Sequence, residues 1–447
     1  MKNIYKERYT LLKDAYDGGG GFADGTYLQK HPREDATKFK ARQEMAYYLN
    51  YMQPCVDAHV SPIFKTPAIR EVDGAGAEAW RAFMDNADMA GSSIKKLMNR
   101  AATLAKLHGV AFIVMDRAHE DAPPTTLAAL AENRAAAPYA FVVEPARVDE
   151  VTLDQYGRIA TFRYKEPDPK EEGKKATRLL TAEGWTLTTA DGETQGDKWD
   201  LGTVPVIPLY AVDHDPLNPF PTPGFLSIAK AEKAIYNRCS WLDDILINQT
   251  FSILTYPDNQ STNSLVIGTN NAVGYPADAS HAPAFIAPAI DPANVLRESI
   301  ADLQRECYRM ATVVNVTGVR EQTSGVAKAW DFEQTNQLLT DYADTLEETE
   351  EKLAELFKRW TGLQFEYNVN YPNDYSISDV ETELANAEVA KGLGFGDAFN
   401  LEVYKRILSK YLPELKGDEI ETMVAEYQKA QELQRLDYSH DLDSDEL

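Results

Sequence analysis

A chain of 447 residues has room for two to four packed units at the usual size of about 100–200 residues each. Its 44% apolar and 26% charged residues are those of a folded protein, which excludes wholesale disorder. The 70 acidic and 45 basic side chains leave a formal charge of -25, which excludes a protein built to grip nucleic acid by neutralising phosphates, though not one that handles it without sticking. Three widely spaced cysteines, Cys55, Cys239 and Cys307, make neither a disulfide framework nor a zinc pattern and read as buried thiols in a reducing cytoplasm. The polar start of the chain lacks the apolar core of a signal peptide, and no stretch approaches the roughly 20 apolar residues of a membrane span.

In chain order, the first 60 residues mix short helical patterns with the run Gly18–Gly21, which lacks the Lys-Ser/Thr ending of a phosphate loop and reads as a hinge or turn. Helical spacing from Ser92 to Leu107 gives way after His108-Gly109 to a buried strand at Val110–Met115. Between Tyr139 and Tyr210 the period falls to two, with turns at Tyr156-Gly157 and Asp191-Gly192, and predicts a small, mostly antiparallel sheet in which the charged run Glu166–Lys175 is a solvated loop. After Pro221-Thr-Pro-Gly224, a helix is predicted from Leu226 to Thr250, and at 1.5 Å per residue it would be roughly 37 Å long.

Residues 252–290 change character, being rich in Pro, Gly, Asn and Ser and free of Lys and Arg, and read as a loop-and-strand excursion. Asp291-Pro292 is a helix start, because the carboxylate can cap free N–H groups and proline has none to leave unpaired, so a second long helix follows to about Val313. The pair flanks the excursion like an extended hairpin with a decorated tip. Residues 315–326 carry two glycines among β-branched residues and read as a loop. Helix returns from about Ala327 to Trp360, and residues 331–360 hold nine acids against three bases, giving one core face and one negative face. Leu363–Val369 alternates like a returning strand; capping boxes at Ser378/Glu381 and Asp418/Glu421, and a start at Asn400, predict terminal helices before an acidic tail.

Catalytic constellations are absent from this pattern. The seven histidines are scattered without metal-ligand spacing, and neither a Gly-x-Ser-x-Gly elbow nor a Walker motif is present. His214 in Asp213-His214-Asp215 has flanking carboxylates but no nucleophile beside it and reads as a loop turn. Asp243-Asp244 and Glu347-Glu348 are helical neighbours that point in different directions and read as solvated charges. No enzyme activity, cofactor or metal is expected.

The order of elements resembles the portal protein, or head-to-tail connector, family of tailed bacteriophages. Particular stretches carry the resemblance: Val204–Tyr210 running through Gly224 and Ile228 into Ala234–Asp244 is similar to the approach to the family's first stem helix. Gln322-Thr-Ser-Gly325-Val-Ala-Lys-Ala is similar to the segment joining its tunnel loop to the following helix. The likeness covers roughly residues 90–370, with the two ends matching only in type.

It implies a predominantly helical α+β fold with wing, stem, clip and crown. Residues 1–225 would form the wing, 226–251 the first stem helix, 252–290 the clip and 291–314 the second stem helix. A tunnel loop at 315–326, a tunnel helix with a returning wing strand at 327–376, and crown helices with the acidic tail at 377–447 would follow. The implied assembly is a homo-oligomeric ring, usually of twelve subunits, built in the host cytoplasm and resident at the capsid vertex of the virion. Its partners would be double-stranded DNA passing through the channel, the terminase large subunit, head-completion or adaptor proteins, and the major capsid and scaffolding proteins, with no membrane.

The residues expected to face the DNA are Asn315, Thr317, Val319, Arg320, Glu321, Gln322, Thr323 and Ser324, neutral polar groups for the most part, with Arg320 offset by Glu321. Two rivals stand beside this reading: a metal-dependent enzyme acting on DNA, which needs converging carboxylates, and a helical virion adaptor without a channel.

Overall fold

A three-stranded sheet lies between the two cores of the protein. In this computed structural model the described residues are 1–117, 137–250, 253–255, 284–286, 291–311, 325–373 and 375, with short C-terminal stretches at 388–389, 396, 399–401, 403–405, 422–427 and 429. Helices α1 (Lys6–Asp17), α2 (Gly20–Ala23), α3 (Ala36–Met45) and α4 (Met52–Lys65) lead through strand β1 (Ile69–Asp73) and α5 (Ala77–Asp85) to α6 (Ile94–His108). The glycine run does two jobs: Gly18, at φ +65°, ends α1 in the left-handed region, and α2 begins two residues later. Along α6, Ile94, Leu97, Met98, Ala101, Ala102 and Ala105 repeat every three or four residues and are all buried. The helix stops at Gly109, whose φ of +84° and close approach to Pro223 suit a residue without Cβ.

Gly109 launches β2 (Val110–Arg117), which is buried on both faces. Strands β3 (Pro138–Val143) and β9 (Val206–Tyr210) flank it antiparallel, with Val114 opposite Phe141 on one side and Val206 on the other. Alternation then divides its side chains: Ala111, Ile113 and Met115 enter the helical core, while Val110, Phe112 and Val114 enter a second core. That second core is closed by an antiparallel meander of β4 (Val148–Leu153), β5 (Ile159–Pro167), β6 (Lys175–Thr181), β7 (Gly184–Thr188) and β8 (Thr194–Lys198) in sequential order. The one small sheet expected from the sequence is therefore two sheets. The charged run expected as a loop contributes residues at both ends to strands, since Glu166 and Pro167 close β5 and Lys175 opens β6.

The long helix α9 (Gly325–Thr361) packs on α4 and α6, and the chain then returns as β12 (Glu366–Asn370), paired antiparallel with β1 so that Val72 faces Tyr367. Trp80, fully buried on α5, stacks on Phe83 at 4.9 Å and on Phe365 at 5.6 Å, and meets Phe357 edge-on. Beside this cluster Glu350 of α9 is buried with its carboxylate fully occupied. Arg70 donates to both oxygens at 2.6 and 3.1 Å, Tyr367 donates at 2.5 Å and Tyr371 at 2.6 Å. This network ties the C-terminal half of the chain to the N-terminal half. The mixed, predominantly helical fold class agrees with the sequence reading.

Candidate functional site: a two-helix stem and its root

Helices α7 (Leu226–Thr250) and α8 (Asp291–Met310) pack on each other. Their expected boundaries hold to within a few residues. Between them the short strands β10 (Ile253–Thr255) and β11 (Ala284–Ile286) pair antiparallel, Leu254 opposite Phe285. On α8, Ala293, Leu296, Ile300, Leu303 and Cys307 recur at spacings of three and four; Ala293 and Cys307 are buried and the others half-buried. That is the narrow seam of a two-helix coil, and most other positions of the helix face solvent. The exposed pairs Arg309–Glu306 and Arg305–Asp302 lie along that outer surface.

Helix α7 divides into two parts. Its proximal half is core, with Ile228, Ala229, Ile235, Tyr236 and Cys239 buried among α1 and α4. From Trp241 the helix emerges, leaving Trp241 38%, Leu246 46% and Ile247 37% exposed, while Val295 on α8 is 64% exposed. Burial on α7 thus reaches only as far as Ser240, although apolar residues continue to Ile247.

Glu232 holds the root. It is buried on α7, and its Oε1 accepts from the backbone N–H groups of Tyr51 at 2.6 Å and Met52 at 2.7 Å, capping the start of α4 from another helix. Among the described residues its Oε2 has no hydrogen-bond partner. Burial pushes the carboxyl up to about 7 against the two backbone hydrogen bonds and Tyr48, which favour the ionised form. At the end of α8, Nε2 of buried His59 lies 2.6 Å from the Ala311 carbonyl, and burial lowers its pKa to about 4, keeping the ring neutral as the donor this contact needs. Cys55, Cys239 and Cys307 are free thiols around the same root, and burial raises Cys55 and Cys307 to about 12.

Two cavities border the stem. One of about 200 Å³ lies between His59, Lys106, Phe225, Ile228, Ala311 and Leu338, where burial lowers the Lys106 amine to about 8 over the Tyr342 ring. The other, about 280 Å³, is a cleft along α7 lined by Gln29, Lys230, Lys233, Asn237, Arg238 and Trp241. Asn237 shapes its floor, accepting from Gln29 N at 2.7 Å and donating to Tyr27 O at 3.0 Å. Among the described residues none of the three cations has a carboxylate partner; Lys233 rests over the Tyr27 ring. The sequence reading missed both Glu232 and this cleft.

The eight residues expected to face DNA, Asn315, Thr317, Val319, Arg320, Glu321, Gln322, Thr323 and Ser324, lie outside the described residues, as do most of the expected clip and crown. His214 stacks on Tyr210 at 3.6 Å, and Asp215 accepts from Leu217 N, the turn that the sequence indicated. Asp244 pairs with Lys38 at 3.1 Å. Glu347 turns to Tyr371 N while Glu348 pairs with Lys352, so those adjacent carboxylates diverge. Among the described residues no three His, Cys, Asp or Glu side chains group to hold a metal ion, and no helix is long and apolar enough to cross a membrane.

No protein-family model and no curated protein matches the chain. Among its structural neighbours are chains of gene transfer agent (GTA) particles. A chain from the neck of an empty particle computed with C6 symmetry is 12% identical with a TM-score of 0.48, over 90% of this chain and 93% of that one. A chain of the native virion is 14% identical at 0.45, over 91% and 99%. A chain from the native neck computed with C12 symmetry is 12% identical at 0.43, over 79% and 88%. At these scores and identities nothing about function passes from those chains to this one.

Proposed function

We propose that the protein is a non-enzymatic structural subunit of a phage-like virion, the portal, which closes into a ring around a channel for double-stranded DNA. One observation carries this reading: the α7–α8 pair is anchored through a buried root and leaves Trp241, Ile247 and Val295 partly exposed beyond it. Apolar side chains left partly exposed along a two-helix arm gain stability where neighbouring arms cover them. In a head-to-tail arrangement each copy offers two different patches, and closure generates a central hole.

On this reading α7 and α8 are the stem and residues 252–290 the clip that meets the terminase large subunit, then head-completion or adaptor proteins. Residues 315–326 face the DNA and residues 377–447 form the crown, within a capsid vertex shared with major capsid and scaffolding proteins. Assembly takes place in the host cytoplasm, with a ring of twelve as the expected form. The formal charge of -25 suits a wall along which DNA slides without binding. Deleting residues 316–324 tests the channel assignment: rings should form normally while DNA packaging or retention falls. Normal packaging by the deletion variant would remove the tunnel-loop assignment.

A further inference from the structure

We propose that the cationic cleft on α7 is the acceptor for an acidic stripe on α9 of the next copy, so that opposite charge sets the register of neighbouring subunits. The inference rests on the ring reading and names the contact within it. On α9 the exposed acids Asp341, Asp344, Glu348, Glu351 and Glu355 follow steps of three and four, which puts all five on one face over about 21 Å of helix. Glu348 and Glu355 are partly offset by Lys352 and Lys358 on the same helix. Asp344 and Glu351 have no cation among the described residues.

The cleft matches this stripe in length and sign. Lys230, Lys233, Arg238 and Trp241 occupy about 17 Å of α7 and include three cations without carboxylate partners. Trp241 supplies an exposed aromatic beside Arg238, the pair of residue types that most often anchors an interface. Within one copy the two surfaces belong to different helices, both packed on α4, and no ion pair joins them. Two like surfaces meeting would repel, so cleft against cleft and stripe against stripe are both disfavoured. A contact of cleft with stripe satisfies each, and repeated head to tail it is the contact type a ring needs. For copies that each carry a formal charge of -25, the cleft is a place where approach is attractive.

The test is charge reversal and charge swap in the full chain, read by mass photometry and negative-stain imaging. Lys230→Glu with Arg238→Glu should lower the ring fraction at fixed protein concentration at least tenfold, with an unchanged thermal midpoint for the monomer. Asp344→Lys with Glu351→Lys should do the same, and mixing the two variants should restore mixed rings. The wild-type ring fraction should also fall as salt rises. Rings from wild type and from both variants alike, or no restoration on mixing, would overturn the pairing while leaving the ring reading in place. Rings that form normally in the cleft variant but retain less DNA would overturn it in favour of a DNA-facing cleft. A wild-type chain that never forms rings removes both.

Discussion

Replacing Glu232 by Gln isolates the charge at the root of the stem. The buried carboxyl binds its proton more tightly folded, near pH 7, than unfolded, near 4.5. Between those values the folded state holds the extra proton, so stability falls as pH rises, and the penalty is complete above about 7 and absent below 4.5. At about 1.4 kcal/mol per tenfold change in proton affinity, the full penalty is about 3 kcal/mol. Glutamine keeps a side-chain oxygen for the Tyr51 and Met52 N–H groups but gives up the stronger charge-assisted form of those bonds. Glu232→Gln should therefore be more stable than wild type at pH 8, by about 1–2 kcal/mol, and should approach it or fall below it at pH 5. Urea unfolding followed by tryptophan fluorescence across pH 5–8 measures both quantities. A Gln variant that loses the same stability at pH 5 and pH 8 would refute the reasoning, because it would mean that the carboxylate's hydrogen bonds outweigh its burial.

Other perturbations follow from the same packing. Glu350→Ala strands the Arg70 guanidinium beside Tyr367 and Tyr371 and should cost about 3–5 kcal/mol in denaturant unfolding. Trp80→Ala empties the centre of the Phe83, Phe357 and Phe365 cluster and should cost about 3–5 kcal/mol by the same assay. His108 is fully buried and among the described residues neither ring nitrogen is hydrogen-bonded, so His108→Leu should leave stability unchanged or raise it by about 1 kcal/mol. All three cysteines should resist an aromatic disulfide reagent in the folded protein at pH 8 and react fully in denaturant.

The two helices α7 and α8 were legible because their signals are local: Asp291-Pro292 starts α8, and both ranges hold in the structure. Strand β2 was legible as an unbroken apolar run after Gly109. Strand β8 was not, because all five of its residues are exposed and no burial alternation marks them. Strand β6 hid behind the charged run because Lys175 begins it.

The two buried glutamates were missed for a different reason: a carboxylate is ordinarily read as solvated. Their positions carried a usable signal, since Glu232 lies four residues after Ile228 and three before Ile235, and Glu350 lies between Leu346 and Leu353 at the same spacings. A charge on the apolar stripe of a long helix must find partners from elsewhere, and sequence alone does not identify Tyr51, Met52 or Arg70 as those partners. The cleft on α7 was invisible for the same reason, because Gln29 reaches it from more than 200 residues away, accepted by Asn237.

Imaging of the purified chain by negative stain, with particle mass measured in the same sample, bears most directly on whether copies cover one another's stems. Annular particles with a central opening and a mass equal to a whole number of 49.9 kDa subunits are the expected result. A single population at 49.9 kDa that stays so in the presence of scaffolding and capsid partners would contradict it.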